Sequence, residues 1–97
     1  MKGYWIILGT EVADQESQAE YGRLWAPISE KYRAKINPTE MPPVLMEARN
    51  TARVIIVEFA TYDDAVACYE DPDYQKAKAF ANKAAMRDLL VVRGEIV

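Results

Sequence analysis

Apolar residues in this chain occur in short continuous runs that alternate with longer stretches in which they recur at helical spacing. The first run, residues 3–10, is rich in aromatic and β-branched side chains and nears its end at Gly9. An apolar run of this length and composition predicts a strand that is buried on both faces.

The polar stretch that follows carries an apolar stripe. Large side chains at spacings of i, i+4, i+7 and i+11 share one side of a helix: Tyr21, Trp25, Ile28 and Tyr32. Asp14 or Ser17 can cap the start of this helix, and Pro27 lies inside it, where its ring removes one backbone hydrogen bond. We expect the helix to end near Arg33.

Residues 35–50 form the least regular part of the chain, because three prolines exclude a central strand through much of this segment. Within it, residues 44–48 have the length and composition of a strand, and turn residues follow them. They predict a hairpin with residues 53–59, an unbroken apolar run that indicates a central strand covered on both sides.

The last third of the chain predicts a broken helix and a final strand. Thr61 has the position of an N-cap, and the first part of the helix follows it. Asp71 and Pro72 break this helix and begin the next one, which we expect to run to about Met86. Residues 89–92 are apolar and predict the last strand.

The order of these elements is βαββαβ. It predicts an α+β fold of the ferredoxin-like type, a four-stranded antiparallel sheet with the helices on one face, in a single domain over residues 1–97. Strands that are apolar on both sides need a cover for their second face, and a chain of this length has no further element to supply it. We therefore expect a homodimer.

Charge and composition limit the classes of partner that we expect the protein to bind. Twelve basic and fifteen acidic residues give a formal net charge of −3, and the basic side chains are scattered rather than clustered along a path for a phosphate backbone. No apolar run approaches the ~18 residues that a membrane span needs. The chain opens without the apolar region of a signal peptide, and Cys68 has no second cysteine to pair with. We expect a cytoplasmic protein that binds neither nucleic acid nor membranes.

The sequence contains no histidine and a single cysteine. The missing histidine removes the commonest general base near neutral pH, the usual metal ligand and the usual proximal haem ligand. A lone cysteine excludes the zinc sites that are built from several cysteines. We therefore expect no metal and no cofactor, and a site that works through carboxylate, phenol, guanidinium and aromatic groups.

Four segments resemble one known family: Gly3-Tyr4-Trp5-Ile6, residues 53–59, Asp71-Pro72-Asp73-Tyr74 and Leu90-Val91-Val92-Arg93-Gly94. In this order they are similar to the domain-of-unknown-function 1330 family of the dimeric α+β barrel superfamily. The resemblance implies the fold and the homodimer, and no established activity. The superfamily includes cofactor-independent monooxygenases of aromatic substrates, haem-degrading enzymes and lactone isomerases, which use a cavity between sheet and helices. Any activity shared with them is an analogy of fold.

Six side chains are the candidates for a ligand site: Trp5, Trp25, Tyr32, Arg53, Tyr69 and Tyr74. Binding pockets are mostly apolar with a few placed polar groups, and phenol hydroxyls beside aromatic rings supply both. Arg53 and Arg93 stand in different strands, where their guanidinium groups could hold a carboxylate. The alternative is that the aromatic residues fill the core and the dimer interface, and that the arginines are solvated at strand edges.

Glu58 is the candidate for a catalytic group. It lies inside a predicted central strand and shares a face with Val54 and Ile56, so we expect its carboxylate to be partly buried and to need a partner. It could act as a general base with a raised pKa. The alternative is a structural carboxylate that accepts hydrogen bonds from an arginine or a tyrosine.

These observations leave three functional hypotheses. The first is a dimeric α+β barrel that binds or transforms a small hydrophobic or aromatic molecule without a metal. The second is a non-catalytic dimeric binding or accessory module. The third is a haem-degrading or monooxygenase-like enzyme, which the absence of histidine disfavours.

Overall fold

A computed structural model describes residues 1–96 of the chain. In this part of the chain the elements are β1 (Gly3–Gly9), α1 (Gln15–Lys31), β2 (Lys35–Ile36), β3 (Arg53–Phe59), α2 (Tyr62–Glu70), α3 (Pro72–Ala84) and β4 (Arg87–Arg93). Within residues 1–96, none of the helices is both long enough and apolar enough to cross a membrane.

The strands form one antiparallel sheet in the order β2-β3-β1-β4. β1 lies in the middle, and each of its residues from Gly3 to Gly9 has a partner in both β3 and β4. The helices pack on one face, with α1 against α3 and α2 against β1. This architecture confirms the predicted α+β fold of ferredoxin-like type.

Each helix begins at the residue that the sequence indicates. Asp14 accepts a hydrogen bond from the Ser17 backbone N–H at 3.1 Å, and Thr61 accepts one from the Asp64 N–H at 3.0 Å. Asp71 caps α3, with Pro72 at its first position. These caps satisfy backbone donors that have no partner inside the helix.

The predicted hairpin strand at residues 44–48 is wrong. That segment has no strand, and the exposed fractions of Val44 and Met46 are 77% and 86%. The place beside β3 is taken by the two residues of β2, with Lys35 paired to Glu58 and Ile36 to Val57. Strand composition alone did not place residues 44–48 in the sheet, because the prolines just before them leave an irregular backbone that does not align with the edge of β3.

The junction between α3 and β4 differs from the prediction by two residues at each side. α3 ends at Ala84 rather than near Met86, and β4 begins at Arg87 rather than at Leu89. The difference places Arg87 inside the sheet, opposite Gly9.

The core lies between the sheet and the helices, and Trp5 and Tyr74 are fully buried in it. Close packing there depends on small residues. A Cβ atom on Gly3 would lie 2.6 Å from the Tyr62 Cα atom, so only a glycine lets α2 approach β1 this closely. The other buried members of this core are Ile7, Ile28, Val57, Phe59, Ala65, Cys68 and Ala77.

The second face of the sheet carries no helix. Apolar side chains on it are half-buried or exposed: Ile6, Leu8, Val54, Ile56, Leu90 and Val92. Tyr4 and Glu58 are the buried members of this face. The sheet is therefore apolar on both sides, as the continuous runs predict.

A carboxylate joins the end of α1 to the start of α3. Asp71 accepts hydrogen bonds from the Tyr32 hydroxyl at 2.6 Å, the Lys31 Nζ at 2.9 Å and the Asp73 backbone N–H at 2.8 Å. The bond from Tyr32, together with those from Lys31 and the backbone, lowers the pKa of Asp71 to about 2. The group is therefore a charged structural link at neutral pH.

Candidate functional site

A cavity of about 240 Å³ lies between the sheet and α1. Its floor consists of side chains on the helix-facing side of β1 and β3, among them Ile7, Ile55 and Val57. α1 forms its roof, and Ile36 and Asn37 close one side at the edge of the sheet. The walls are mostly apolar with a few polar groups, which is the usual composition of a small-molecule site.

Aromatic rings form one end of the cavity. The ring centroids of Trp5 and Trp25 are 5.5 Å apart, and Tyr21 stacks on Trp25 with an angle of 3° between the ring planes. The Trp5 indole N–H donates to the backbone oxygen of Ala65 at 2.9 Å. Because that donor is occupied, Trp5 offers only its ring to the cavity.

The roof has a gap at Gly22. This glycine is exposed on α1, and a Cβ atom added to it would meet no other atom within 4 Å. A glycine in the middle of a helix costs about 0.5–1 kcal/mol relative to alanine. Gly22 therefore lines the cavity without a side chain, and a larger residue at this position would have free space to occupy.

Two arginines form the other end of the cavity. Arg53 on β3 and Arg87 on β4 are both register partners of Gly9 on β1, so the three residues form a row across the sheet. With strands about 4.8 Å apart, the two arginine Cα atoms are separated by about 10 Å. A Cβ atom on Gly9 would lie 2.9 Å from the Arg53 Nη2 atom, so the glycine makes room for this guanidinium above β1.

A hydrogen-bond chain holds Arg87 in place. Its Nη2 donates to the Tyr74 hydroxyl at 2.5 Å, and the Tyr74 and Tyr21 hydroxyl oxygens are 3.2 Å apart. The guanidinium also lies over the Tyr21 ring, 5.0 Å from its centroid. Burial raises the pKa of Tyr74, so its phenol is neutral at physiological pH and acts as a fixed hydrogen-bonding group.

Arg53 is anchored through the backbone. Its Nε donates to the Thr10 carbonyl at 3.0 Å, which leaves both terminal nitrogens free of protein acceptors among residues 1–96. The ion pairs within that part of the chain join Lys2 to Glu58, Arg23 to Glu20 and Lys31 to Asp71. Neither cavity arginine takes part in them.

Only some of the six predicted ligand residues line the cavity. Trp5, Trp25 and Arg53 line the cavity. Tyr69 and Tyr74 pack behind Trp5, with ring centroids 6.1 and 5.0 Å from it. The sixth, Tyr32, is bonded to Asp71 outside the cavity.

Several lining residues were missed from the sequence. The sequence predicts that Arg87 precedes the last strand, whereas β4 begins at Arg87 and pairs it with Gly9. Tyr21 lies on the predicted apolar stripe of α1 and lines the cavity, but it is not among the six predicted ligand residues. Arg93, the expected partner of Arg53, lies at the other end of β4 opposite Gly3, with its guanidinium over the Tyr62 ring.

Glu58 lies on the opposite face of the sheet from the cavity lining, and it shares that face with Val54 and Ile56. It accepts hydrogen bonds from the Lys2 Nζ at 3.0 Å and the Tyr4 hydroxyl at 3.3 Å. The bond from Lys2 outweighs the effect of burial and lowers the pKa of Glu58. The catalytic role of Glu58 stays a prediction, and its contacts are those of a paired structural carboxylate.

Comparison with sequence families identifies a known family. Residues 2–95 match the profile of a domain of unknown function (DUF1330). A search among curated proteins finds no match.

Solved structures show the same fold at low sequence identity. A protein of unknown function from Rhodopseudomonas palustris is 19% identical and superimposes with a TM-score of 0.66, covering 97% of this chain and 82% of that one. SnoaB, a cofactor-independent oxygenase from Streptomyces nogalater, is 10% identical with a TM-score of 0.65, covering 99% and 95%. A dimeric protein of unknown function and ferredoxin-like fold from Bacteroides fragilis is 14% identical with a TM-score of 0.54, covering 96% of each chain. At these identities the likeness establishes the fold.

Proposed function

The chain belongs to the DUF1330 family, and we propose that it binds a small hydrophobic or aromatic molecule, without a metal, in the cavity between its sheet and α1. The observation that carries this proposal is the cavity itself, which has aromatic rings at one end and hydrogen-bond donors at the other. The oxygenase of similar fold is a precedent for small-molecule chemistry on this architecture.

The size of the cavity limits the ligand. Its volume of about 240 Å³ is below the ~300 Å³ at which ordinary ligand pockets begin. A compound of single-ring size fits this space, and its flat face can pack against Trp25, which itself contacts the fully buried Trp5. The polar groups around it are guanidinium, phenol and amide groups, which hold a ligand through hydrogen bonds.

The proposed working form is a homodimer. The second face of the sheet presents half-buried apolar side chains from its three long strands, and no element of residues 1–96 covers them. Structures of similar fold from Bacteroides fragilis and Thermobifida fusca are described as dimeric. A second copy packed on this face would bury the apolar side chains and leave the cavity on the helix side accessible. A cytoplasmic location stays a prediction of the sequence.

Intrinsic fluorescence tests the binding proposal directly, because both tryptophans of the chain line the cavity. The purified protein is titrated with benzyl alcohol, benzamide, benzoate and phenylacetate. We expect a saturable change in tryptophan emission with at least one of these compounds. Isothermal calorimetry on the same pair of solutions separates binding from simple quenching.

Gly22 provides a matched pair of variants. Gly22→Phe places a ring at the gap in the roof and is expected to abolish the saturable response, whereas Gly22→Ala adds one methyl group and is expected to retain it. Unchanged binding by Gly22→Phe would show that the ligand lies elsewhere and would overturn the proposal.

The non-catalytic module is the second candidate. The complete burial of Trp5 and Tyr74 favours it, because these rings stabilise the subunit whether or not a ligand binds. It predicts that none of the four compounds gives a saturable response, and that Gly22→Phe changes stability alone. The same titration therefore decides between the two.

A further inference from the structure

The two arginines of the cavity have unused hydrogen-bond donors. Arg53 uses its Nε for Thr10, and Arg87 uses its Nη2 for Tyr74. Arg53 Nη1 and Nη2 therefore have no acceptor within residues 1–96, and the remaining Arg87 N–H groups have none in that part of the chain except the neighbouring Tyr21 hydroxyl. In that part of the chain no buried side-chain nitrogen or oxygen lacks a partner. These free nitrogens therefore face accessible space rather than the closed core.

The tyrosine pair adds a donor with a defined direction. Tyr74 accepts from Arg87, and because it is fully buried, its own hydroxyl proton must go to its neighbour, the Tyr21 oxygen. Tyr21 then accepts this bond, and its own proton is left for another acceptor. Tyr21 lines the cavity, so the chain from Arg87 through Tyr74 ends in a donor on the cavity wall.

The charges at this end of the cavity are uncompensated. Each guanidinium group carries a positive charge, and neither belongs to the ion pairs formed within residues 1–96. The side chains that line the cavity include two arginines and, among the described residues, no carboxylate. Two positive charges beside a mostly apolar space favour an anion whose oxygen atoms can accept several N–H bonds at once.

We infer that the ligand is a small aromatic carboxylate, with its ring against Trp25 and its carboxylate held by Arg53, Arg87 and the Tyr21 hydroxyl. This inference rests on the proposed function and adds the chemical class of the ligand. Gly9 is part of the site, since a Cβ atom there would lie 2.9 Å from the Arg53 Nη2 atom and would push this guanidinium away. The aromatic end supplies contact area, and the arginine end selects for charge.

The experiment compares benzoate with benzamide, which has the same ring and nearly the same shape but no charge. We expect benzoate to bind the full chain at least about tenfold more tightly than benzamide, which is the effect of one good charge-assisted hydrogen bond. Arg53→Gln and Arg87→Gln are each expected to weaken benzoate binding by about tenfold or more and to leave benzamide binding nearly unchanged.

Two further variants keep the test independent of folding. Arg93→Gln is the matched control, because Arg93 lies on the same strand as Arg87 but at the other end of the sheet. The Arg93→Gln variant should bind benzoate as tightly as the parent protein does. Tyr21→Phe removes one donor and keeps the ring, so benzoate binding should fall by a smaller factor. Arg53→Gln is informative even where Arg87→Gln unfolds, because Arg53 makes no bond to the tyrosine pair.

The outcomes distinguish the two proposals. Equal affinity for benzoate and benzamide, or benzoate binding that is unaffected by Arg53→Gln, would overturn the carboxylate class and leave the proposed function standing. Failure of both compounds and of the other two single-ring probes to bind would overturn the proposed function and the inference with it.

Discussion

The Arg87 guanidinium donates a hydrogen bond to the buried Tyr74 hydroxyl at 2.5 Å and thereby ties the first residue of β4 to the first turn of α3. The same hydroxyl lies 3.2 Å from that of Tyr21 on α1. One phenol oxygen therefore connects two helices and a strand at the end of the cavity.

Removal of the Tyr74 hydroxyl tests how much this group contributes to the stability of the fold. Tyr74→Phe keeps the ring in the core but deprives Arg87 and Tyr21 of their common partner, so we expect a loss of about 1–2 kcal/mol in the free energy of unfolding. Urea denaturation followed by circular dichroism measures it. Tyr62→Phe is the control, because Tyr62 is half-buried and its hydroxyl makes no hydrogen bond within residues 1–96, so its effect should stay within about 0.5 kcal/mol. A Tyr74→Phe variant as stable as the parent protein would contradict a structural role for the hydrogen bonds of the Tyr74 hydroxyl.

Two glycines should respond to alanine in opposite ways. At Gly3 a Cβ atom would lie 2.6 Å from the Tyr62 Cα atom, and the backbone there cannot move aside easily, so Gly3→Ala should destabilise the fold by about 1–3 kcal/mol. At Gly22 there is free space, and Gly22→Ala should stabilise α1 by about 0.5–1 kcal/mol. Thermal unfolding of both variants beside the parent protein measures the difference. A Gly3→Ala protein as stable as the parent would show that α2 is less tightly packed on β1 than the structure describes.

The hydrogen bonds of Asp71 predict how the stability of the fold depends on pH. Its pKa is lowered to about 2 in the folded chain, whereas an unfolded aspartate titrates near about 3.9. The stability that Asp71 contributes is therefore fully present above about pH 4 and is lost as the pH falls through about 2. The melting temperature of Asp71→Asn should lie below that of the parent protein at neutral pH, and the gap should close between those two pH values.

Two partners of Asp71 provide the control for this experiment. Tyr32→Phe and Lys31→Gln each remove one donor and keep the backbone cap from Asp73, so their curves should lie between those of the parent protein and Asp71→Asn. A gap that is constant from neutral pH down to about 2 would show that the charge of Asp71 contributes nothing to stability.

The proposed dimer predicts the effect of a charge on the open face of the sheet. Ile6 lies at the centre of that face, between Ile56 and Leu90. Ile6→Glu would bury a carboxylate against its symmetry copy, so self-association should weaken by at least about tenfold, since like charges across an interface cost several kcal/mol. Sedimentation velocity over a range of protein concentrations measures it.

Ala67→Lys is the control for the dimer, because Ala67 is exposed on α2, away from the open face. It should sediment like the parent protein. A parent chain that sediments as a monomer at micromolar concentration would contradict the dimer, whatever the behaviour of the variants.

Much of the local structure follows from the sequence for reasons that act within a few residues. Asp14, Thr61 and Asp71 cap the helices because a short side-chain oxygen reaches the backbone N–H groups that follow it. The run at residues 53–59 forms a strand because its β-branched side chains fit a surface covered on both faces.

The candidate site was only partly predictable, because its members meet through strand register. Residue type alone predicts Trp5, Trp25 and Arg53 as ligand residues, and they line the cavity. Arg87 was missed because a difference of two residues in the start of β4 decides whether it lies opposite Gly9 or outside the sheet. The side of the sheet that Glu58 faces follows from the same alternation of side chains along the strand.

Periodicity, capping and composition are local properties of the chain, so the sequence suffices to predict the types and order of the main elements and the need to cover two apolar faces. Tertiary structure alone decided that Lys35–Ile36, not residues 44–48, pairs with β3, and that Arg53 and Arg87 share one end of a cavity across Gly9. The physical reason is that antiparallel pairing brings together residues far apart in the chain. No local pattern records which of them will be opposite one another.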